Sequence, residues 1–148
     1  MYRVVLVDDE QIILQGLQKV FPWAEFGCEV VGTASDGLEG IALMRGTRPH
    51  ILLTDIRMPN MDGLTMIAAL KTEFPDLQIS VLTAFRDFDY AQSAIRLGVS
   101  RYLLKPSKMD ELREAFRHMT DNLRALPPQT EPEDGGGLQS EAGNFVAR

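Results

Sequence analysis

The sequence is poor in cysteine and lacks long apolar runs. A single cysteine, Cys28, excludes an internal disulfide and any metal site built from several cysteines. The N-terminal apolar run, residues 4–7, is four residues long and ends in acids. It is shorter than the core of a signal peptide and far short of the roughly 20 residues of a membrane helix. We therefore expect a cytoplasmic protein with no membrane partner.

Basic residues are also scarce. The chain carries 15 lysines and arginines against 21 aspartates and glutamates, a net charge of −6. Binding to nucleic acid phosphates calls for a basic face, so this chain is not expected to bind DNA or RNA directly. With 148 residues, 45% of them hydrophobic and 24% charged, the composition is typical of one soluble globular domain.

The composition changes near the C-terminus. Residues 127–148 contain four acids, one base, three prolines and a run of three glycines, with few large apolar residues. Such a segment cannot bury enough apolar surface to fold alone. The sequence thus predicts a domain over residues 1–126, followed by an acidic, Pro/Gly-rich linker or tail over residues 127–148 without an output domain.

Within the first 126 residues, short apolar runs alternate with amphipathic segments. Unbroken runs are typical of strands buried on both faces of a parallel sheet. They are Val4–Val7, Val30–Val31, Ile51–Leu53, Ile79–Leu82 and Tyr102–Leu104. Five strands and five helices in strict alternation predict an open, doubly wound α/β sheet.

Polar residues follow four of the five predicted strands. They are Asp8, Asp9 and Glu10 after the first, Asp55 after the third, Thr83 (followed by Ala84) after the fourth, and Lys105 (followed by Pro106) after the fifth. Singly, each has an ordinary explanation as a helix cap, a turn residue or a solvated lysine. Ligands of open α/β sheets bind beyond the carboxyl ends of the strands, however, and the fold brings these distant positions together there.

Clustered carboxylates repel one another unless a cation binds them. Oxygen ligands with retained waters suit Mg²⁺, whose open positions commonly take phosphate oxygens. A carboxylate can itself attack phosphorus, and Asp55 on the central strand is best placed to do so. Lys105 can neutralise one phosphate oxygen, and Thr83 can donate a hydrogen bond to another.

Five segments together resemble the receiver domain of bacterial two-component response regulators, the CheY-like family. They are Val7–Glu10, Leu53–Pro59, Met61–Gly63, Leu82–Ala84 and Tyr102–Pro106, and the resemblance spans residues 1 to about 124. It implies a flavodoxin-like, doubly wound, five-stranded parallel sheet with strand order 2-1-3-4-5 and five helices.

The resemblance also implies roles for individual residues. Asp55 is the expected phosphoacceptor. Asp8, Asp9, Asp55 and the backbone carbonyl of Arg57 are the expected ligands of Mg²⁺, for which Mn²⁺ can substitute. Phosphate binding is expected from Thr83, Ala84 and Lys105, switching from Thr83 and Tyr102, a cis bond before Pro106, and tuning of hydrolysis from Arg57 and Phe85.

The implied partner is a sensor histidine kinase. Residues 83–91 and 94–99 resemble regulators whose C-terminal output domain is an AraC-type helix-turn-helix DNA binder. Either a longer chain or a partner would supply that domain. Phosphorylation is expected to change the surface of the fourth helix, fifth strand and fifth helix, through which a homodimer can form.

Three rival functions are weighed against this one. A phosphatase of the haloacid-dehalogenase type needs a second carboxylate two residues after the nucleophile, where this chain has Arg57. A dinucleotide or flavin site calls for a glycine-rich turn where Asp8, Asp9 and Glu10 stand. A phosphorylation-independent interaction module stays open as the alternative. We expect a phosphoacceptor that promotes its own phosphotransfer and slow dephosphorylation, not a conventional enzyme.

Overall fold

The computed structural model describes residues 1–127, in which strands and helices alternate. The elements are β1 (Tyr2–Val7), α1 (Gln11–Val20), β2 (Cys28–Ala34), α2 (Gly37–Thr47), β3 (Ile51–Thr54), α3 (Gly63–Glu73), β4 (Gln78–Thr83), α4 (Phe88–Arg96), β5 (Arg101–Leu104) and α5 (Met109–Ala125). The division at residue 126 stays a prediction, because all of the proposed tail except Pro127 lies outside the described residues.

The strands form one parallel sheet in the order β2-β1-β3-β4-β5. This confirms the predicted fold class and strand order. Each predicted apolar run lies within a strand, and β2 extends well beyond the pair Val30–Val31.

Both faces of the sheet are covered, which explains why the strand sequences do not alternate with polar residues. Side chains at alternate positions of β1 enter opposite cores: Val4 and Leu6 pack towards α1 and α5, and Val5 and Val7 towards α2 and α3. The carboxyl ends of the strands are thereby fixed at one edge between two packed layers.

A short 3-10 helix, Trp23–Phe26, was not predicted from the sequence. Its aromatic rings pack with Phe21 and Phe116, whose ring centroids lie 4.6–5.3 Å from those of their neighbours. None of the helices in the described part of the chain is long and apolar enough to cross a membrane.

Candidate functional site

The central carboxylate, Asp55, is held by the sheet itself. Its backbone N–H donates to the carbonyl of Val7 at 2.9 Å, so the β1–β3 ladder continues one residue past β3. The residue is only 3% exposed. Oδ1 accepts from the backbone N–H of Ile56 at 2.7 Å, and Oδ2 lies 2.9 Å from the Lys105 ammonium. Both carboxylate oxygens are thus fixed in direction.

Lys105 reaches this carboxylate from the far edge of the sheet. Its backbone N–H extends the β4–β5 ladder by donating to Thr83 at 2.8 Å, and its bond to Pro106 is cis. Its ammonium lies 2.8 Å from Asp8 Oδ2 and 3.1 Å from Glu10 Oε2, besides Asp55. Burial disfavours the charged ammonium and by itself would lower the pKa of Lys105. The hydrogen bonds to the Asp8 and Asp55 carboxylates, and their negative charges, outweigh burial and raise that pKa.

Asp8 is the second buried carboxylate of the cluster. It is 4% exposed, and its Oδ1 accepts from the backbone N–H of Glu10 at 2.9 Å. Burial raises the pKa of Asp8, although the bonds from Lys105 and the Glu10 amide act in the opposite direction. The charge of neighbouring Asp55 adds to the rise. A cation beyond Lys105 would relieve this unfavourable burial of negative charge.

The cluster fits a divalent metal ion. Asp8, Asp9, Glu10 and Asp55 each offer a carboxylate oxygen, and these oxygens lie within 4.8 Å of one another. One ammonium against four carboxylates leaves the pocket with excess negative charge. Oxygen-only donors with an exposed side suit Mg²⁺, which keeps several of its waters.

A solvent-facing cavity of about 560 Å³ opens above these groups. Its lining includes Asp9, Glu10, Asp55, Arg57, Ala84 and Phe85. The Arg57 guanidinium carbon lies 4.4 Å from the centroid of the Phe85 ring, so the two side chains form a cation–π contact at the rim.

Both expected switch side chains contact one residue, Phe85. The hydroxyl of Thr83, which is fully buried, accepts from the Phe85 backbone N–H at 3.4 Å. The Tyr102 hydroxyl donates to the Phe85 carbonyl at 3.0 Å. Burial raises the pKa of the Tyr102 phenol, and the charges of Asp87 and Asp55 add to that rise. The backbone at Phe85 therefore links the two side chains.

The loop after Asp55 is closed by residues for which no function was predicted. Gly63 donates to the Ile56 carbonyl at 2.6 Å, and a Cβ at Gly63 would collide with the Asp55 carbonyl oxygen. Asn60, at φ 68°, donates through its amide to Asp36 at 2.7 Å. The sequence signal was that asparagine, which tolerates the left-handed conformation, follows Pro59. This signal indicates a turn but does not identify Asp36 as the partner of Asn60.

Glu10 was also given no role at the sequence level, because an acid before a helix is usually a cap. Its contact with Lys105 joins positions 95 residues apart. The structure thus brings together Asp8, Asp9, Glu10, Asp55 and Lys105, as their positions after the strands predict, and shows a contact of Glu10 with Lys105 that was not predicted.

Comparisons with known proteins find relatives over most of this chain. A family model for the response regulator receiver domain matches residues 4–117. An uncharacterized transcriptional regulatory protein, YesN of Bacillus subtilis, is 36% identical over 124 residues, which cover 84% of this chain and 34% of that protein. Transcriptional regulatory protein HptR of Staphylococcus aureus is 32% identical over 136 residues, with 86% of this chain and 53% of HptR covered. The chain spans about a third to a half of these relatives.

One solved structure is similar to this chain in both sequence and fold. The REC domain of AraT, a response regulator from Geobacillus stearothermophilus, superposes with a TM-score of 0.78 at 40% identity. The match covers 83% of this chain and 95% of that domain.

Proposed function

The chain belongs to the response regulator receiver domain family, and from that premise we propose that it accepts a phosphoryl group on Asp55 from a sensor histidine kinase. The observation that carries the proposal is the fixed Asp55 carboxylate. One oxygen is held by a backbone amide at 2.7 Å, and the other faces the Lys105 ammonium at 2.9 Å. A nucleophile with fixed direction and an adjacent cation is what in-line phosphoryl transfer requires.

In the proposed step, an Asp55 carboxylate oxygen forms a bond to the phosphorus of a phosphohistidine. The P–N bond breaks, and its electron pair returns to the imidazole, which takes up a proton. The product is an acyl phosphate on Asp55. Lys105 then leaves the carboxylate and pairs with a phosphoryl oxygen, which preserves its charge neutralisation.

Asp8, Asp9, Asp55 and the backbone carbonyl of Arg57 would hold Mg²⁺ or, in its place, Mn²⁺. The three carboxylates belong to a cluster of four whose oxygens lie within 4.8 Å of one another, which supports this assignment. The bound ion would neutralise charge on the phosphoryl oxygens. The chain's own contribution is to fix the carboxylates and to shield the site with the Arg57–Phe85 contact.

Switching would follow from the new phosphoryl oxygens. Thr83 and the backbone of Ala84 would donate to them, and the Thr83 hydroxyl would leave its contact with the Phe85 amide. Because Tyr102 is bonded to the same residue, its position would change together with that of Thr83. Phosphorylation shifts the population between the two arrangements by the difference in its contacts with each.

The output would be transcriptional control through an AraC-type DNA-binding domain. The resemblance of residues 83–91 and 94–99 supports the AraC-type domain. The names of the curated relatives support transcriptional regulation and do not specify the type of output domain. A homodimer through α4, β5 and α5 would carry the signal. Phe88 and Ile95, two large apolar side chains one heptad apart on α4, are 71% and 69% exposed and support that surface.

The test is phosphorylation by acetyl phosphate with Mg²⁺, read by intact mass. The wild-type chain gains one phosphoryl group, and Asp55→Asn, which keeps the shape but not the nucleophile, gains none. No adduct is expected when Mg²⁺ is chelated before acetyl phosphate is added. A wild-type chain that never gains the adduct but still binds its partner would favour the alternative, a phosphorylation-independent interaction module.

A further inference from the structure

Glu10 stands at the N-cap position of α1 but does not cap the helix. Its side chain accepts no hydrogen bond from the first turn. Short oxygen-bearing side chains such as serine or aspartate fill this position well because they reach the N2 or N3 amide. Glu10 instead extends across the site, and its Oε2 lies 3.1 Å from the Lys105 ammonium. The Glu10 side chain therefore interacts with Lys105 and does not cap the helix.

Lys105 has three N–H donors, and three carboxylates surround it. Two of them, on Asp8 and Asp55, are almost fully buried, whereas the Glu10 side chain is 54% exposed. The buried pair are two of the ligands assigned to Mg²⁺, together with Asp9 and the backbone carbonyl of Arg57. A dication bound to the same two carboxylates would repel the ammonium and compete with it for their oxygens. Of the three carboxylates, only Glu10 lies outside that ligand set.

We propose that Glu10 is a positioning residue that retains the Lys105 ammonium at the mouth of the site when Mg²⁺ engages Asp8 and Asp55. The inference rests on the proposed function. With Glu10 present, Lys105 moves partly off the two buried carboxylates and stays beside the incoming phosphoryl group. Without Glu10, the ammonium is confined to the two metal ligands and opposes binding of the ion.

A simpler role predicts different behaviour. As a mere negative charge near the pocket, Glu10 would favour Mg²⁺ to the same extent whether or not Lys105 is present. As a positioning residue, it acts through Lys105, so its effect disappears with that side chain. A double-mutant cycle separates these two roles.

The experiment measures the Kd of Mg²⁺ by calorimetry for the wild-type chain, Glu10→Gln, Lys105→Met and the double variant. Glu29→Gln, at an exposed position of β2, is the matched control for loss of one charge. In the wild-type background, we expect Glu10→Gln to raise the Kd of Mg²⁺ roughly fivefold, which lies within the range of coupling energies between residues in contact. In the Lys105→Met background, the same substitution should raise the Kd less than about twofold. Glu29→Gln should leave the Kd nearly unchanged.

A second variant separates positioning from folding. Glu10→Ser supplies a short capping hydroxyl and should raise the Tm while it weakens Mg²⁺ binding in the same way as Glu10→Gln. An equal Kd change in both Lys105 backgrounds, or no change in either, overturns the inference and leaves phosphorylation of Asp55 standing. A wild-type chain that binds no Mg²⁺ overturns both.

Discussion

At the residue scale, the site combines side chains held by the sheet with side chains that depend on loops. Asp55 and Lys105 extend backbone ladders, so their positions follow from the strands. Arg57 and Phe85 meet through a side-chain contact between two loops. Residues of the first kind should tolerate little change, and residues of the second kind can alter rates without altering the fold.

Phe85 provides a test of this distinction. Its ring contacts the Arg57 guanidinium, and both residues line the same cavity as Asp55. Phe85→Glu should speed hydrolysis of the acyl phosphate severalfold, because a carboxylate admits and orients water where a ring excludes it. Phe85→Leu, which keeps an apolar side chain, is the control and should change the rate less. Decay of the phosphorylated chain is followed by intact mass; equal or slower decay of Phe85→Glu would refute the shielding role.

Asp36 gives a prediction that depends on pH. Its carboxylate accepts hydrogen bonds from the Glu39 backbone N–H and from Asn60, and these bonds lower the pKa of Asp36. A lowered folded-state pKa stabilises the fold above the ordinary value of 3.8, and this contribution is lost as pH falls through the lower, folded-state pKa. Asp36→Ala should lower the Tm at pH 7, and the gap to wild type should narrow below about pH 4. Thermal melts at several pH values measure it; a constant gap would contradict the assignment.

Some residues of the site could be placed from the sequence, and others could not. Asp55 and Lys105 could be placed because unbroken apolar runs mark strands, and parallel strands end at one edge. The contact between Glu10 and Lys105 could not be predicted, because a residue at a helix N-cap is expected to hydrogen-bond to the first turn of its own helix. The stacking of Arg57 on Phe85 depends on the distance between two loops, which only tertiary packing sets.

At the element scale, the start of α3 is packed tightly against the backbone of Asp55, directly after β3. The approach leaves room only for hydrogen at Gly63. Gly16 is exposed in the middle of α1, and a methyl group added there would meet no atom within 4 Å apart from its chain neighbours and the backbone of its own helix. The two glycines therefore occupy helices for different physical reasons.

Alanine at each position should have opposite effects. Gly63→Ala should destabilise the fold by roughly 2–3 kcal/mol, because the Asp55 carbonyl must shift. Gly16→Ala should stabilise it by about 0.5–1 kcal/mol, because alanine restricts the unfolded chain and favours helix. Urea unfolding gives both values, and destabilisation by Gly16→Ala would contradict the open environment described for it.

At the scale of the whole molecule, signalling requires that a change at the strand ends reach a surface. The proposed surface carries Phe88 and Ile95 on α4 and the Arg101–Glu114 ion pair between β5 and α5, with the shortest N–O distance 2.7 Å. The exposed apolar side chains favour association, and the ion pair at the edge restricts its geometry.

Association should therefore depend on phosphorylation. The beryllofluoride-loaded chain is expected to sediment as a dimer at concentrations where the unloaded chain is a monomer. Ile95→Glu should abolish the dimer while phosphorylation by acetyl phosphate proceeds normally. Lys19→Glu, on the exposed side of α1, is the matched control for an added acid. Equal sedimentation of loaded and unloaded wild type would refute the proposed dimer.

The side chain of Lys105 also has a mechanical consequence. It starts at the edge strand β5 and passes β4 to reach carboxylates that follow β1 and β3. Its ion pairs therefore connect β5 to residues on the other half of the sheet, and they depend on the charge of those carboxylates. Formation of an acyl phosphate on Asp55 would thus change the charge that holds Lys105, and the effect would reach β5 without any strand changing its hydrogen-bonding partner.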